Sequence, residues 1–300
     1  MTMSGLRVIV TAPPYSNFLH EVAAHPIVGG LRLNTVMPLN ESPGEALMRL
    51  RQFEQPIWID LKARQLRVVG AAIPPYTEVR ISHQIHVDTP VDAFFSDGTE
   101  KVRIVGVDGD RLILADGPRR LIGPGESLNI VHPSLEVLGL LTERDMMYLR
   151  AMNTLGMRKV MLSFVERQSD ITAVTDLLPD AEIVLKIETQ KGLSFARQHD
   201  PVHGQLLAAR GDLYVELTRP HHIVRALEEI IQADPDAMVA SRILDSLAFH
   251  PVPASADISD VGFLWSLGYR TFVLGDALCL QRDSVMEALN LLEILGTDFA

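Results

Sequence analysis

Short apolar runs alternate with longer segments of helical periodicity along most of this chain. The apolar runs have the length of buried strands, ~4–8 residues, rather than that of helices. Between them apolar residues recur on one helix face, as at positions 223, 224, 227, 230 and 231. Strands that alternate with helices are typical of parallel folds. The pattern predicts eight strands: Leu6–Thr11, Leu31–Val36, Pro56–Asp60, Lys159–Ser163, Ile183–Ile187, Gln205–Ala209, Ala237–Ser241 and Thr271–Leu274.

Capping residues mark two of the predicted helices. Ser42 is followed by Pro43 and then by Glu45, three positions after the cap, which is the pattern of a capping box with Pro in the first turn. Thr142 and Gly156 stand at the expected start and end of another helix. Eight strands in this alternation predict an α/β fold, a closed TIM (β/α)8 barrel, because antiparallel and sandwich folds lack the intervening helices.

The helical spacing disappears between Asp60 and Leu141. Short apolar runs in this region are separated by the turn-forming sequences SDG, DGD and GPG, and VDGD has the form of a hairpin turn. We therefore expect a small antiparallel β domain, residues 64–138, inserted after the third strand. Residues 1–63 and 139–300 then form the barrel.

Composition and charge exclude several classes of partner. The 300 residues carry a net charge of −11 without a run of Lys or Arg, which argues against a nucleic-acid partner. The single Cys279 cannot form an internal disulfide, which favours a reducing compartment. The N-terminal apolar run is typical of a strand rather than a signal peptide, and no apolar stretch approaches the ~20 residues that cross a membrane. The expectation is a cytoplasmic protein that acts on small molecules.

Charged residues follow two consecutive predicted strands. Lys186 and Glu188 lie at the end of residues 183–187, and Asp212 follows residues 205–209. The C-terminal ends of barrel strands meet at one mouth, where active sites form. Two carboxylates commonly hold Mg²⁺, with substrate oxygens completing its coordination. The sequence therefore predicts a site for Mg²⁺ (or Mn²⁺) at Glu188 and Asp212, with Lys186 as a neighbouring cation that stabilises an enolate or a phosphoryl group.

The same segments resemble a known family. KIETQKGL (186–193) and AARGDLYVEL (208–217) are similar to motifs of pyruvate kinase. Further similar segments follow in order along the chain: GLRLN (30–34), IDLK (59–62), LTERDMMYL (141–149), SFVERQSDI (163–171) and ADISDV (256–261). Each of these matches is weak alone, whereas their order along the chain is specific. The family also carries a β domain at the point of the predicted insertion, usually a longer one.

The resemblance implies roles for residues at the mouth. Lys186, Glu188 and Asp212 would hold the metal and the enolpyruvate. Arg32 would contact phosphate as a catalytic residue, since a planar guanidinium donates two parallel hydrogen bonds. Ser241 stands where the family has Thr and would assist proton transfer through its hydroxyl.

Additional substrate contacts are implied at the same mouth. Arg67 and Lys62 would face phosphate or carboxylate groups of the substrate. Gly211 would join Asp212 and Ser241 in the substrate-binding set. Small molecules, namely phosphoenolpyruvate or pyruvate and also ADP or ATP, are the implied partners. A homodimer through barrel helices is expected separately, because barrel faces are commonly paired.

The chain departs from the family at the implied monovalent cation site. Asn34 and Asp60 are the implied ligands of K⁺, but Val36 stands where the family has Ser, so that a hard cation loses an oxygen ligand. Met37 replaces His and Gln65 replaces Glu, which removes polar groups beside the phosphate path. Phosphoryl transfer to ADP is therefore expected to be weak or absent.

Other departures concern the rim of the barrel and its surroundings. Arg242 stands where the family has Gln, and either a cation at the rim or a residue at an interface is consistent with the sequence. Glu166 replaces a residue that is usually basic. Arg210 either braces Asp212 as a structural cation or faces substrate, and the structural role is favoured. The sequence ends after the eighth predicted helix, so the family's C-terminal domain is expected to be absent.

Three functions are compatible with these observations. The first is a pyruvate kinase-like enzyme that stabilises a metal-bound enolpyruvate and transfers phosphoryl groups weakly. The second keeps the enolate but uses it to make or break a C–C bond, as an aldolase or lyase. The third is a non-catalytic pyruvate kinase-like binding protein, against which the retained Lys186, Glu188 and Asp212 argue.

Overall fold

A computed structural model describes residues 5–96 and 98–299 of the chain. The strands of this part are, in order, β1 Arg7–Thr11, β2 Val28–Asn34, β3 Ile57–Leu61, β4 Glu78–Arg80, β5 Ile85–His86, β6 Val91–Phe95, β7 Glu100–Asp108, β8 Arg111–Leu114, β9 Leu128–Asn129, β10 Glu136–Val137, β11 Lys159–Leu162, β12 Glu182–Ile187, β13 Gln205–Ala209, β14 Met238–Ala240 and β15 Thr271–Val273. The α-helices are α1 Leu19–Ala23, α2 Pro43–Leu50, α3 Glu143–Leu155, α4 Gln168–Thr175, α5 Gln190–Ala196, α6 Arg210–Glu216, α7 Ile223–Ala233, α8 Ser255–Leu267, α9 Asp276–Cys279 and α10 Arg282–Asp298.

Eight of these strands close into a barrel. Their order around it is β1-β15-β14-β13-β12-β11-β3-β2, and every neighbouring pair is parallel. The predicted (β/α)8 barrel is therefore confirmed. The largest boundary difference is in β2, which begins at Val28 rather than Leu31. Gly29 and Gly30 interrupt the apolar run, and a Cβ on Gly30 would lie 3.3 Å from the Trp58 ring, so that glycine allows a close approach.

The barrel strands are buried on both faces. Val184 and Leu207 belong to an interior cluster, whereas Leu185 and Leu206, adjacent to them in sequence, pack into the layer between strands and helices. Burial on both faces explains why the strands are continuous apolar runs rather than alternating ones.

The predicted helix caps are present. The Ser42 hydroxyl accepts a hydrogen bond from the Glu45 amide (3.3 Å), and the Glu45 carboxylate accepts one from the Ser42 amide (2.8 Å). Thr142 caps α3 in the same way, and Gly156 ends that helix at φ 69°. Reciprocal caps satisfy backbone N–H groups that the helix itself leaves without partners.

An antiparallel sheet lies between β3 and α3. Its strand order is β4-β8-β7-β6-β9, and β5 pairs separately with β10. The predicted VDGD turn joins β7 to β8, with Gly109 at φ 61°. This segment has its own apolar cluster, which includes Val79, Phe95, Ile104 and Leu112. The boundaries at residues 64 and 138 are kept as our proposed limits of an inserted domain.

The buried carboxylate of Asp145 contacts both ends of the inserted segment. Asp145, in the first turn of α3, accepts hydrogen bonds from the amides of Lys62 and Ala63, both at 3.1 Å. It also accepts one from the amide of Thr142 at 3.0 Å. Asp145 therefore contacts the chain both where it leaves the barrel after β3 and where it returns at α3. Across residues 5–96 and 98–299, no helix has the length and apolarity that a membrane span requires.

Candidate active site

Three cations surround Asp60 at the C-terminal mouth of the barrel. Arg32 donates to Oδ2 of Asp60 through Nη2 (2.6 Å) and Nε (2.8 Å), and Lys62 Nζ lies 2.8 Å from the same oxygen. Lys186 Nζ lies 3.2 Å from Oδ1. Burial alone raises the pKa of Asp60, but Lys186, Lys62 and Arg32 together hold it well below its usual value. Asp60 is therefore the anionic centre of a buried charge cluster.

The implied monovalent cation ligands already have partners. Both oxygens of Asp60 face cationic side chains, and the Oδ1 atom of Asn34 accepts from the amide of Val36 at 3.3 Å. The Asn34 amide group donates to Asp276. A K⁺ ion at these oxygens would face the positive charges of Arg32, Lys62 and Lys186. These contacts do not favour the monovalent cation site at Asn34 and Asp60, which stays a prediction.

Arg32 is held by carboxylates at two strand ends. Besides Asp60, its guanidinium contacts Asp276 (3.0 Å) and the hydroxyl of Thr11 (2.7 Å). The sequence reasoning missed Asp276. Its only signal was a position shortly after the end of β15, at the start of α9 and at the same mouth as the other charged residues.

Lys186 connects this cluster to the predicted metal ligands. Its ammonium group lies 2.7 Å from the Ser163 hydroxyl and 3.1 Å from Glu188 Oε1, in addition to Asp60. Burial lowers the pKa of Lys186, but Asp60 and Glu188 outweigh this effect and raise it. Lys186 therefore remains a cation at neutral pH.

Lys62 behaves differently, because burial lowers its pKa to about 8. The charge of Asp60 opposes this shift, whereas the charges of Lys186 and Arg32 add to it.

Glu188 directly follows β12 and is buried. Its Oε2 atom accepts a 2.7 Å hydrogen bond from the amide of Phe164, whose backbone is left-handed at φ 54°. Burial raises the pKa of Glu188 to about 7; Lys186 opposes this shift, and the charges of Asp212 and Asp60 add to it. A cation placed between Glu188 and Asp212 would relieve this desolvation and repulsion. The two residues thus suit a divalent ion on electrostatic grounds.

Asp212 lies in the first turn of α6, where side chains of the inserted segment reach it. Its Oδ2 atom accepts from the Gln65 amide group (2.9 Å), and Oδ1 accepts from that of Asn129 (3.2 Å). The same Asn129 group donates to Glu216 Oε1 at 2.9 Å. Asn129 stands in β9 and was missed, because an Asn between apolar residues carries no signal for a contact with a distant helix.

Glu216 is a further buried carboxylate that the sequence reasoning missed. Burial raises its pKa to about 8; the hydrogen bond from Asn129 opposes the shift, and the charges of Asp212, Glu166 and Glu188 add to it. The available signal was its spacing, because a residue four positions after Asp212 lies on the same face of a helix. At neutral pH this side chain is mostly a neutral acid.

Ser241 and Gly211 meet across the mouth. Ser241 follows β14 with a left-handed backbone (φ 72°), and its hydroxyl lies 3.3 Å from where a Cβ on Gly211 would stand. Arg210 was expected to brace Asp212, and this expectation is wrong. Its guanidinium instead donates to the carbonyl oxygen of Ser241 (2.7 and 3.1 Å) and to Asp260 (2.7 Å), because the side chain crosses from α6 towards the end of β14.

Arg67 is engaged by its own segment. Its guanidinium donates to the Gln65 side-chain oxygen and to the carbonyl oxygen of Gly125. This contact orients Gln65, whose amide then reaches Asp212. The contact of Arg67 with substrate stays a prediction.

A cavity of about 760 Å³ lies beside these residues, between the inserted segment and the loops after β11 and β12. Leu66, Leu128 and Ile130 line it from the inserted segment, and Phe164 and Thr189 from the barrel. The amide of Phe164 donates to Glu188, and Thr189 follows Glu188 in sequence. The cavity therefore adjoins Glu188, one of the two predicted metal ligands. Its volume lies in the range of small-molecule sites, roughly 300–1,000 Å³.

The protein ligands available to a metal at this mouth are few. In the described residues, no group of three or more His, Cys, Asp or Glu side chains is arranged to hold a metal ion. An ion at Glu188 and Asp212 would therefore take its remaining ligands from substrate and water. Mg²⁺ is commonly bound in this manner.

Comparison with known proteins gives one consistent family. The family model described as "Pyruvate kinase, barrel domain" matches residues 76–265. The chain is 31% identical to a pyruvate kinase of Agrobacterium vitis over 176 residues, which cover 57% of this chain and 36% of that protein. It is 30% identical to pyruvate kinase 1 of Saccharomyces cerevisiae, over 42% of this chain and 26% of the relative. It is also 30% identical to a pyruvate kinase of Thermoplasma acidophilum, over 51% and 32%. The matched segments thus span about a third or less of these relatives.

Proposed function

The chain belongs to the pyruvate kinase family, and from that premise we propose that it binds Mg²⁺ with phosphoenolpyruvate or pyruvate and stabilises an enolpyruvate. The observation that carries the proposal is the pair of Glu188 and Asp212 beside Lys186. Glu188 is buried, its pKa is raised to about 7, and the charge of Asp212 adds to that shift. A divalent cation is the group that best compensates such a pair.

The residues of the mouth have distinct roles in this proposal. When bound, the divalent ion would act as a Lewis acid towards substrate oxygens. Lys186 stays positively charged and is oriented by Ser163 at 2.7 Å, so it can stabilise negative charge that develops on the enolate. The hydroxyl of Ser241 would exchange a proton at the methylene carbon.

Phosphoryl transfer is the weaker half of the proposed chemistry. Arg32, which would position phosphate, already pairs with Asp60 (2.6 Å) and Asp276 (3.0 Å), so a phosphate must compete with two carboxylates. Val36 stands in place of an oxygen ligand of the implied monovalent cation, and Met37 stands in place of a polar residue beside the phosphate path. Each lost preorganised contact typically costs roughly 10²–10³ in rate. Enolate stabilisation depends on fewer of these contacts.

Proton exchange should therefore exceed phosphoryl transfer. With Mg²⁺, the protein is expected to exchange the methyl protons of pyruvate with D₂O faster than it forms ATP from phosphoenolpyruvate and ADP. Proton NMR measures the exchange, and a coupled luminescence assay measures ATP. Lys186→Met is the control, because loss of the cation should abolish exchange. Robust ATP formation without exchange would contradict the ordering and favour an ordinary pyruvate kinase.

The cavity beside Glu188 favours a second candidate function. About 760 Å³ of partly apolar space adjoins the proposed enolate, enough for a second small substrate such as an aldehyde. An aldolase or lyase would use the enolate to form or cleave a C–C bond there. Proton exchange without ATP formation is the result that favours this candidate over the kinase. If neither reaction occurs while oxalate still binds with Mg²⁺, a non-catalytic binding protein remains.

The partners, the cellular location and the assembly of the chain are also proposals. Small anions are the proposed partners of the chain, and nucleic acid is not, because the net charge is −11. A cytoplasmic location, expected from the cysteine usage, and a homodimer through barrel helices remain proposals. Sedimentation of a single species at monomer mass over a range of concentrations would contradict the dimer.

A further inference from the structure

Arg242 stands at the rim of the barrel mouth, where its guanidinium has no carboxylate partner among the residues that the structure describes. It follows Ser241 at the end of β14, and its guanidinium carbon lies 4.8 Å from the centroid of the Tyr214 ring. Tyr214 lies in α6, two residues after Asp212. Within residues 5–96 and 98–299, no Asp or Glu lies at ion-pair distance from Arg242. Arg32, Lys62 and Lys186 differ from it, because each pairs with Asp60.

The backbone fixes the position of this side chain. Ser241 and Arg242 are consecutive left-handed residues, at φ 72° and φ 58°. Such conformations are unfavourable for residues with side chains, and they persist where the surroundings determine them. Here Arg210 donates two hydrogen bonds to the carbonyl oxygen of Ser241, and Asp260 in turn holds Arg210. The turn therefore presents Arg242 to Tyr214 through a braced backbone.

The donors of the guanidinium are available, because Arg242 has no hydrogen-bond acceptor among the described residues. Its contact with the Tyr214 ring, 4.8 Å from the guanidinium carbon to the ring centroid, uses the charge of the group rather than its N–H donors. In-plane donors of this kind bind a carboxylate or phosphate through two parallel hydrogen bonds. The side chain is exposed, so such an anion can reach it from the mouth. The arrangement differs from that of Arg32, whose donors are already engaged by Asp60 and Asp276.

We infer that Arg242 binds the oxyanion of a second substrate, a phosphate or carboxylate group, at the rim beside the enolpyruvate site. The inference rests on the proposed function for the identity of the first substrate, but not for the anion site itself. It deepens that function by assigning a negatively charged second substrate to the reaction. Arg242 is then a specificity-determining residue, and Tyr214 orients it.

Calorimetric titration of inorganic phosphate tests the inference, with succinate in a separate titration to distinguish phosphate from carboxylate. Both are measured at constant ionic strength, with and without Mg²⁺ and oxalate. Arg242→Gln is expected to weaken binding of the preferred anion by about 10-fold or more, and Arg242→Lys by less, because Lys keeps the charge but not the planar fork. Arg225→Gln is the matched control: it removes an equal charge from α7, where Arg225 pairs with Glu229.

The outcomes separate this inference from the proposed function. Equal anion binding by the wild type and Arg242→Gln, or no binding of either anion by the wild type, would overturn the inference. A shift in sedimentation on Arg242→Gln with unchanged anion binding would make Arg242 an interface residue and would overturn it as well. Failure of oxalate to bind with Mg²⁺ would contradict the proposed function alone, because the titrations without oxalate still measure anion binding at Arg242.

Discussion

Glu188→Gln is expected to weaken Mg²⁺ binding by about 100-fold or more and to leave the fold intact. Loss of outer-shell partners already costs roughly 10–100-fold in metal affinity, and Glu188 is a proposed ligand. Gln keeps the side-chain volume and an oxygen that accepts from the Phe164 amide at 2.7 Å. The free energy of unfolding without metal should be unchanged or higher, because burial of the native carboxylate raises its pKa to about 7.

Electron paramagnetic resonance of Mn²⁺ and calorimetry with Mg²⁺ measure this loss, and urea unfolding measures stability. Glu182→Gln is the matched control. Glu182 begins the same strand, β12, but lies at its opposite end, where it pairs with Lys159. Equal metal affinity of the wild type and Glu188→Gln would show that the ion, if bound at all, uses other ligands.

Glu216→Gln is expected to stabilise the protein at alkaline pH and to have little effect near pH 4.5. The folded state raises the pKa of Glu216 from its ordinary 4.5 to about 8, chiefly by burial. The wild type therefore has the full contribution of the neutral acid below pH 4.5 and loses it as pH rises towards 8. At pH 8.5 or above, the loss is on the order of 3–5 kcal/mol. The amide carries no proton equilibrium in this range.

Urea unfolding at pH 5, 7 and 8.5 measures this difference between wild type and variant. Subtracting the two profiles removes the contributions of titrating groups that do not interact with Glu216. Glu287→Gln, an exposed change on α10, should leave the profile of the wild type unchanged. A difference between Glu216→Gln and wild type that does not grow with pH would contradict the raised pKa.

The barrel could be predicted from sequence because each strand has a local pattern. Continuous apolar runs, a Ser42 cap and a Gly156 terminus all depend on neighbours within a few positions. The start of β2 was not predicted, because two consecutive glycines, Gly29 and Gly30, suggest a turn in the sequence. Only the structure shows that Gly30 packs against Trp58 within the strand. The polar residues at the ends of the strands also predicted the location of the site, because the parallel strands of a barrel all end at the same mouth.

The connections within the site could not be predicted in the same way. Gln65 reaches Asp212 across 147 positions, and Arg32 reaches Asp276 across 244. Neither contact has a local pattern, because side-chain pairs of this kind depend on how separate elements pack. Arg210 shows the opposite error: its closeness to Asp212 in sequence suggested a contact, whereas the helix directs it to Ser241 and Asp260.

The contacts of Asp145 bear on how well the barrel tolerates changes in the length of the inserted segment. Because Asp145 accepts from the amides of Lys62 and Ala63 at 3.1 Å, the exit and the return of the chain are held together by the barrel's own residues. The intervening segment then behaves as a loop whose ends are already closed. Doubling the length of a flexible loop costs only about 0.6 kcal/mol in closure entropy. A change in the length of this segment should therefore cost the barrel of this chain little stability, as long as the contacts of Asp145 with both ends are kept.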